Sequence, residues 1–174
     1  MMNNSRGKKI VVFGCDNSGK TTLAQNISSH YDFTYVRSPG PISREGQIDF
    51  LQSKLFDKEN MVFDRFAIFE ENVCGNILRG SSNFSDFPKA VASDVFYSKV
   101  DLFIFCNPGI EEILNWGQRE QMDGVKENAQ KLLDGYKEVF QELKNSCLNV
   151  VEYNWKSKSS LDEVISKIQE VVEK

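Results

Sequence analysis

The chain has 174 residues, 40% of them hydrophobic and 26% charged, an ordinary globular composition that excludes a wholly disordered protein and suits one compact domain over residues 1–174. A net charge of −4 at pH 7 gives no global basic footprint for nucleic acid. No apolar run approaches the ~20 residues of a membrane span, and the 4 cysteines and 1 histidine show no metal-ligand spacing. The opening, Met1 to Lys9, is polar and basic, and Ile10 to Phe13 is too short for a signal-peptide core. A cytoplasmic protein with reduced thiols is therefore expected.

Five short apolar runs read as strands: Lys9 to Phe13, Phe33 to Arg37, Asn60 to Phe63, Asp101 to Cys106 and Asn149 to Tyr153. Near-continuous Val, Ile and Phe suit strands covered by helices on both faces. Helical spacing runs over Lys20 to His30, Ser43 to Phe56, Ala67 to Leu78 and Pro88 to Lys99, then over Ile110 to Arg119 and Val125 to Asn145. A capping box, Ser160-x-x-Glu163, opens the last helix. The alternation predicts an α/β fold with a parallel sheet and crossover helices. Charge is uneven along the chain: 9 basic and 7 acidic residues through Arg65, then 12 basic and 18 acidic. Phosphate-binding chemistry is expected in the first third.

That third contains Gly14-Cys15-Asp16-Asn17-Ser18-Gly19-Lys20-Thr21, which fits G-x-x-x-x-G-K-[ST], follows the first strand and opens the first helix. Glycines let backbone N–H groups turn inward around phosphate oxygens at the positive end of a helix dipole. Lys20 reaches the β/γ-phosphates as a point charge, and Thr21 offers a hydroxyl to Mg²⁺, a hard cation that prefers oxygen. Gly14, Cys15, Asn17, Ser18, Gly19, Lys20, Thr21 and Thr22 are the candidate nucleotide-binding residues.

Asp64-Arg65 closes the third strand, and ligands of open α/β sheets bind beyond the carboxyl ends of the strands. Asp64 is a candidate either to bind Mg²⁺ or to accept a hydroxyl proton, and Arg65 to grip a phosphate bidentately. Asp16 lies inside the phosphate loop, where it either orients an acceptor hydroxyl or makes a local hydrogen bond. Arg79 ends a helical stretch, where it enters an acceptor cleft or favours the helix dipole. Phe66 and Phe69 are candidates for core packing or for a platform under a flat base. Glu71 is a solvated residue or an acceptor ligand.

The motifs Gly14-x-Asp16-x-x-Gly19-Lys20-Thr21-Thr22, Arg37-Ser38-Pro39-Gly40 and Asp64-Arg65-Phe66 resemble those of the thymidylate kinase group of P-loop kinases. The resemblance runs in order along nearly the whole chain. It implies a five-stranded parallel sheet in the order 2-3-1-4-5, a short helical lid over about residues 115–127, and phosphoryl transfer from ATP with Mg²⁺. It places Arg37, Pro39 and Arg65 at the acceptor. Arg119 becomes the lid arginine that closes over the transferring group, making Lys20, Asp64, Arg119 and Asp16 the catalytic candidates. A homodimer is a further implication.

The sequence departs from that group where the base is read. Phe69 and Cys74 stand where a serine and a glutamine are common. The run from Asp64 to Gly80, with Gln121-Met122, is similar to small phage-type P-loop kinases, some of which phosphorylate hydroxymethyluracil in DNA. The acceptor is expected to be a pyrimidine deoxynucleotide or nucleoside. The alternative is a pyrimidine-modified DNA, in host cytoplasm if the chain is phage-encoded. A non-enzymatic nucleotide switch is the remaining reading, and no N-K-x-D guanine-reading motif supports it.

Overall fold

Strand positions follow the apolar runs closely. The computed structural model describes residues 6–115, 117 and 123–173, the side chains of 89 and 90 excepted. Its strands are β1 (Lys9–Phe13), β2 (Thr34–Arg37), β3 (Met61–Asp64), β4 (Leu102–Cys106) and β5 (Val150–Tyr153). All pair in parallel, in the order β2-β3-β1-β4-β5, as the motifs imply. The helices are α1 (Lys20–Tyr31), α2 (Arg44–Leu55), α3 (Ala67–Glu70), α4 (Lys89–Val95), α5 (Ile110–Leu114), α6 (Ala129–Asn145) and α7 (Lys158–Val172).

Successive side chains of a strand point to opposite faces, so β1 feeds two cores. Ile10 and Val12 pack with Leu23, Ala24 and Ile27 of α1 and with Val164 and Ile168 of α7. Val11 and Phe13 pack on the other face, with Leu51 of α2 and Leu132 and Tyr136 of α6. An aromatic cluster fills that second layer: the Phe69 ring lies 5.1 Å from those of Phe13 and Phe66, and 5.8 Å from that of Phe103. Such contacts add to the large area each ring removes from water.

Several helix boundaries differ from the sequence reading: α4 ends at Val95 rather than Lys99, and α5 at Leu114 rather than Arg119. The last helix is capped by Ser157, whose side chain accepts from the Ser160 N–H, so Ser160 is not its cap. Ser160 instead donates to the Glu152 carbonyl and accepts from the Asn154 N–H. The helix of Val125 to Asn145 starts at Ala129, because Gly124 is left-handed at φ 79° and the Asn128 amide donates to its carbonyl. The helix after β3 changes type: α3 passes into a π-helix over Glu71–Arg79, a wider turn that recurs at functional sites.

Lys9, in β1, is fully buried and donates through Nζ to the carbonyls of Asp57 and Glu59. It closes the turn that leads into β3. Replacing it by methionine keeps the stem but strands both carbonyls, so Lys9→Met is expected to lower unfolding stability by about 2 kcal/mol, read from a denaturant titration at unchanged m.

Candidate active site

A cavity of about 820 Å³ opens beyond the carboxyl ends of the strands, bordered by Asp16, Lys20, Thr21, Thr22, Arg37 and Arg65 at one end and by Gly40, Gln47, Glu71, Cys74 and Arg79 at the other. The glycine-rich turn between β1 and α1 forms its floor. Gly19 caps α1 in a left-handed conformation (φ 88°), and Asn17 is also left-handed (φ 63°). A methyl group on Gly19 would lie 3.1 Å from the indole of Trp155, a half-exposed residue after β5 that also borders the cavity. Close approach as well as backbone conformation thus demands glycine there.

Lys20 is buried, with its Nζ donating to the Cys15 carbonyl (2.7 Å) and to Asp16 Oδ1 (3.1 Å). Arg65 reaches the same Asp16 oxygen through one nitrogen and Glu70 Oε2 through the other, at 2.8 Å. Burial alone would raise the Asp16 carboxyl, but the charges and hydrogen bonds of Lys20 and Arg65 override it and hold it below the usual carboxylate range. A carboxylate gripped by two cations is a weak proton acceptor. Asp16 therefore positions Lys20 and Arg65.

The parallel register sets Val12 of β1 opposite Asp64 of β3, which brings that carboxylate to the start of α1. Asp64 is buried, and its Oδ2 accepts from Thr21 and from Tyr35, each at 2.7 Å. Burial and this hydrogen bond push the Tyr35 hydroxyl up to about 12, so it remains a donor. Asp64 Oδ1 is buried with no partner. Among the described residues no three His, Cys, Asp or Glu side chains gather as a metal cage. An orphaned carboxylate oxygen beside a hydroxyl is instead the donor set of a hard cation completed by phosphate and water. Thr21 and Asp64 fit Mg²⁺.

Arg65 has a positive φ of 77°, an uncommon conformation for a side chain of its size and one that marks functional positions. Its N–H donates to the Val12 carbonyl, so the turn aims the guanidinium over the phosphate loop. Glu70, its second partner, also accepts from Tyr136 of α6 at 2.6 Å. Desolvation works against the charged guanidinium, yet Glu70 and Asp16 raise its pKa further above an already high value. The Cys15 and Cys74 thiols are each pushed up to about 12, chiefly by burial, and stay protonated.

Several sequence candidates fall elsewhere. Phe66 and Phe69 do not border this cavity. They are buried at 0% and 2% exposure in the aromatic core, because the first turn of α3 faces the sheet. Pro39 is exposed, and its neighbours Ser38, Gly40 and Pro41 border the cavity instead. Arg37 and Arg79 do border it. Arg119 lies outside the described residues, with residues 116, 118 and 120–122 of the supposed lid, and its residues 123–127 form turns rather than a helix. Tyr35, Gln47, Tyr136 and Trp155 went unnoticed in the sequence. Only Gln47 carried a signal, as an amide heading the buried stripe Gln47, Leu51, Leu55 of α2.

The sequence matches no protein-family model and no curated protein. In fold it is similar to deoxyadenosine kinase of M. mycoides, solved with dCMP and dCDP, at TM-score 0.66 and 16% identity over 94% of this chain and 99% of that one. It is similar too to the YorR protein of Bacillus subtilis in complex with phosphorylated GDP (TM-score 0.70, 18% identity, 95% and 96% covered). Thymidylate kinase of Candida albicans gives a TM-score of 0.60 at 18% identity, with 97% and 92% covered. At these identities the likeness is one of fold alone, that of a five-stranded parallel sheet flanked by helices.

The depressed Asp16 pKa has a consequence for stability. Its contribution is complete above the unfolded carboxylate value and is lost as pH falls through the lower folded value. The melting-temperature gap between the natural protein and Asp16→Asn is expected to be constant above about pH 5 and to shrink below about pH 4, as read by calorimetry across that range.

Proposed function

We propose that the protein is an ATP-dependent phosphotransferase acting on a pyrimidine deoxynucleotide or nucleoside. The observation that carries this reading is the convergence of Lys20, Arg65 and the Thr21–Asp64 pair on one end of a cavity deep enough for a second ligand. A switch protein needs the first feature and not the second.

Phosphoryl transfer passes through a loose transition state, so positioning and charge stabilisation do most of the catalytic work. Triphosphate oxygens would take the place of the Cys15 carbonyl and Asp16 as partners of Lys20. Arg65, held by Glu70 through one nitrogen, would turn the other from Asp16 to the phosphate between donor and acceptor. Thr21 and Asp64 would hold Mg²⁺, which neutralises charge on the β/γ oxygens when bound. Arg37, at the mouth, is the candidate for an acceptor phosphate. Arg119 is assigned the closing role on the transferring group, by motif resemblance.

The test is a transfer assay with labelled ATP against dTMP, dUMP, dCMP, thymidine and hydroxymethyluracil-containing DNA. Label on a free pyrimidine acceptor is expected. Label on DNA alone would replace this reading with that of a DNA kinase, whose phosphate contacts would make binding salt-sensitive. Absence of any transfer beside intact ATP binding would favour a switch.

Two variants dissect the mechanism. Lys20→Ala is expected to lower turnover about 10²-fold or more with the fold retained, by steady-state assay and circular dichroism. Arg119→Ala is expected to cut kcat by about 10²-fold or more while ATP affinity changes less than about threefold, by the same assay and calorimetric titration.

A further inference from the structure

The end of the cavity away from the phosphate loop contains a buried amide whose chemistry is only half used. Gln47 of α2 is 1% exposed. Its Nε2 donates to Glu71 Oε1 at 3.2 Å and to the Gly40 carbonyl at 3.4 Å. Its Oε1 is buried and has no partner. Rotating the amide by half a turn would set its oxygen against a carboxylate and a carbonyl, both acceptors, and would strand the NH₂ group. The polarity of this side chain is therefore fixed.

Glu71 is what fixes it. The carboxylate is 2% exposed and each of its oxygens has a protein donor: Oε1 takes Gln47, and Oε2 takes Arg79 (2.7 Å) and the Asn83 N–H (3.2 Å). The π-helix makes the Arg79 contact fit. A methyl group on Gly75 would sit 2.9 Å from the Arg79 guanidinium and 3.2 Å from Glu71 Oε2, so glycine leaves the space into which Arg79 folds back. Glu71 thus spends its acceptors on protein donors. Gln47 keeps one acceptor over.

Gln47, Glu71 and Arg79 all border the cavity. We propose that Gln47 is the specificity-determining residue of the acceptor end, its Oε1 accepting an N–H from the hydrogen-bonding edge of the acceptor's base beside Arg79. Buried polar atoms find partners in nearly all folded proteins, and an exception calls for an explanation. The missing donor belongs to the ligand. The substrate class that follows is a nucleobase-bearing acceptor with a ring imide or exocyclic amino N–H at its far edge from the phosphate loop. This assignment rests on the kinase reading above and narrows it, since Gln47 is remote in sequence from every phosphate-binding motif.

The test uses the full chain, with calorimetric binding of dTMP, dUMP and dCMP alongside the transfer assay. Gln47→Leu is expected to weaken binding of the preferred nucleotide about tenfold or more, because a site built to pair a polar group discriminates strongly. Its ATP affinity should stay at the natural level, while its thermal stability falls because Glu71 Oε1 loses its buried donor. N-methylation of the nucleotide at its donor edge should weaken binding to the natural protein by a similar factor and to Gln47→Leu hardly at all. The methylated probe needs no variant, and Gln47→Met supplies a second one of closely matched shape. Nucleotide binding indifferent to both Gln47 and methylation, with transfer intact, overturns the assignment and leaves the kinase reading standing. Gln47-dependent binding without transfer supports the assignment and overturns the kinase reading. No nucleotide binding at all overturns both.

Discussion

One carboxylate organises the end of the cavity at the glycine-rich turn. Asp16 Oδ1 is shared by Lys20 and Arg65, cations that arrive from α1 and from the end of β3. Brought together in a partly buried site, two such charges repel, and each loses hydration that the protein must replace. Asp16 replaces it for both. Its position inside the loop is thereby explained: with Glu70 on the far side of Arg65, Asp16 balances the charges of Lys20 and Arg65.

The same constraint reaches into the second layer. Arg65 can serve Asp16 only from a left-handed backbone, and the strain of that conformation is offset by the Val12 carbonyl on one side and Glu70 on the other. Glu70 is in turn held by Tyr136, a fully buried residue of α6 whose hydroxyl also contacts Cys74. A chain of hydrogen bonds therefore runs from the phosphate loop through α3 to the helix that follows residues 115–127. Networks of this kind rigidify when every member is satisfied. Here Asp16, Arg65, Glu70 and Tyr136 all have partners, so the guanidinium is aimed before any ligand arrives.

The glycine-rich turn at one end of the cavity was legible in the sequence and the other end was not, for a physical reason. The phosphate recognition proposed for Gly14 to Thr22 would use backbone amides and a helix terminus, which need only local sequence: a strand, a glycine turn, a lysine, a hydroxyl and a helix start. The sheet was legible on similar grounds, since runs such as Lys9 to Phe13 and Leu102 to Cys106 are too continuously apolar for any but doubly covered strands. The proposed base recognition would use side chains from different elements. Gln47 comes from α2 and Glu71, Gly75 and Arg79 from the π-helix, and their meeting depends on a helix type that apolar periodicity does not encode. Phe66 and Phe69 show the converse ambiguity, because an aromatic beside a motif looks the same whether it faces the ligand or the sheet. Tyr35 was hidden in a strand whose pattern gave no hint that its hydroxyl would reach Asp64.

The phosphate loop also owes its shape to chain well beyond its own motif. Asn17, left-handed and inside the loop, extends its amide to the carbonyls of Glu112 (2.8 Å), Ile113 (3.4 Å) and Asn115 (3.1 Å). These are acceptors at the end of α5, where a helix runs out of its own donors. Glu112 is tied as well to Lys156, next to Trp155, by a 2.6 Å ion pair. The loop is therefore braced from β4–α5 and from β5–α7 together, while Asp64 and Arg65 brace it from β3. A phosphate ligand entering such a loop has little backbone left to order, which lowers the entropic cost of binding. Asparagine at this left-handed position trades conformational ease for a bracing contact that glycine could not make.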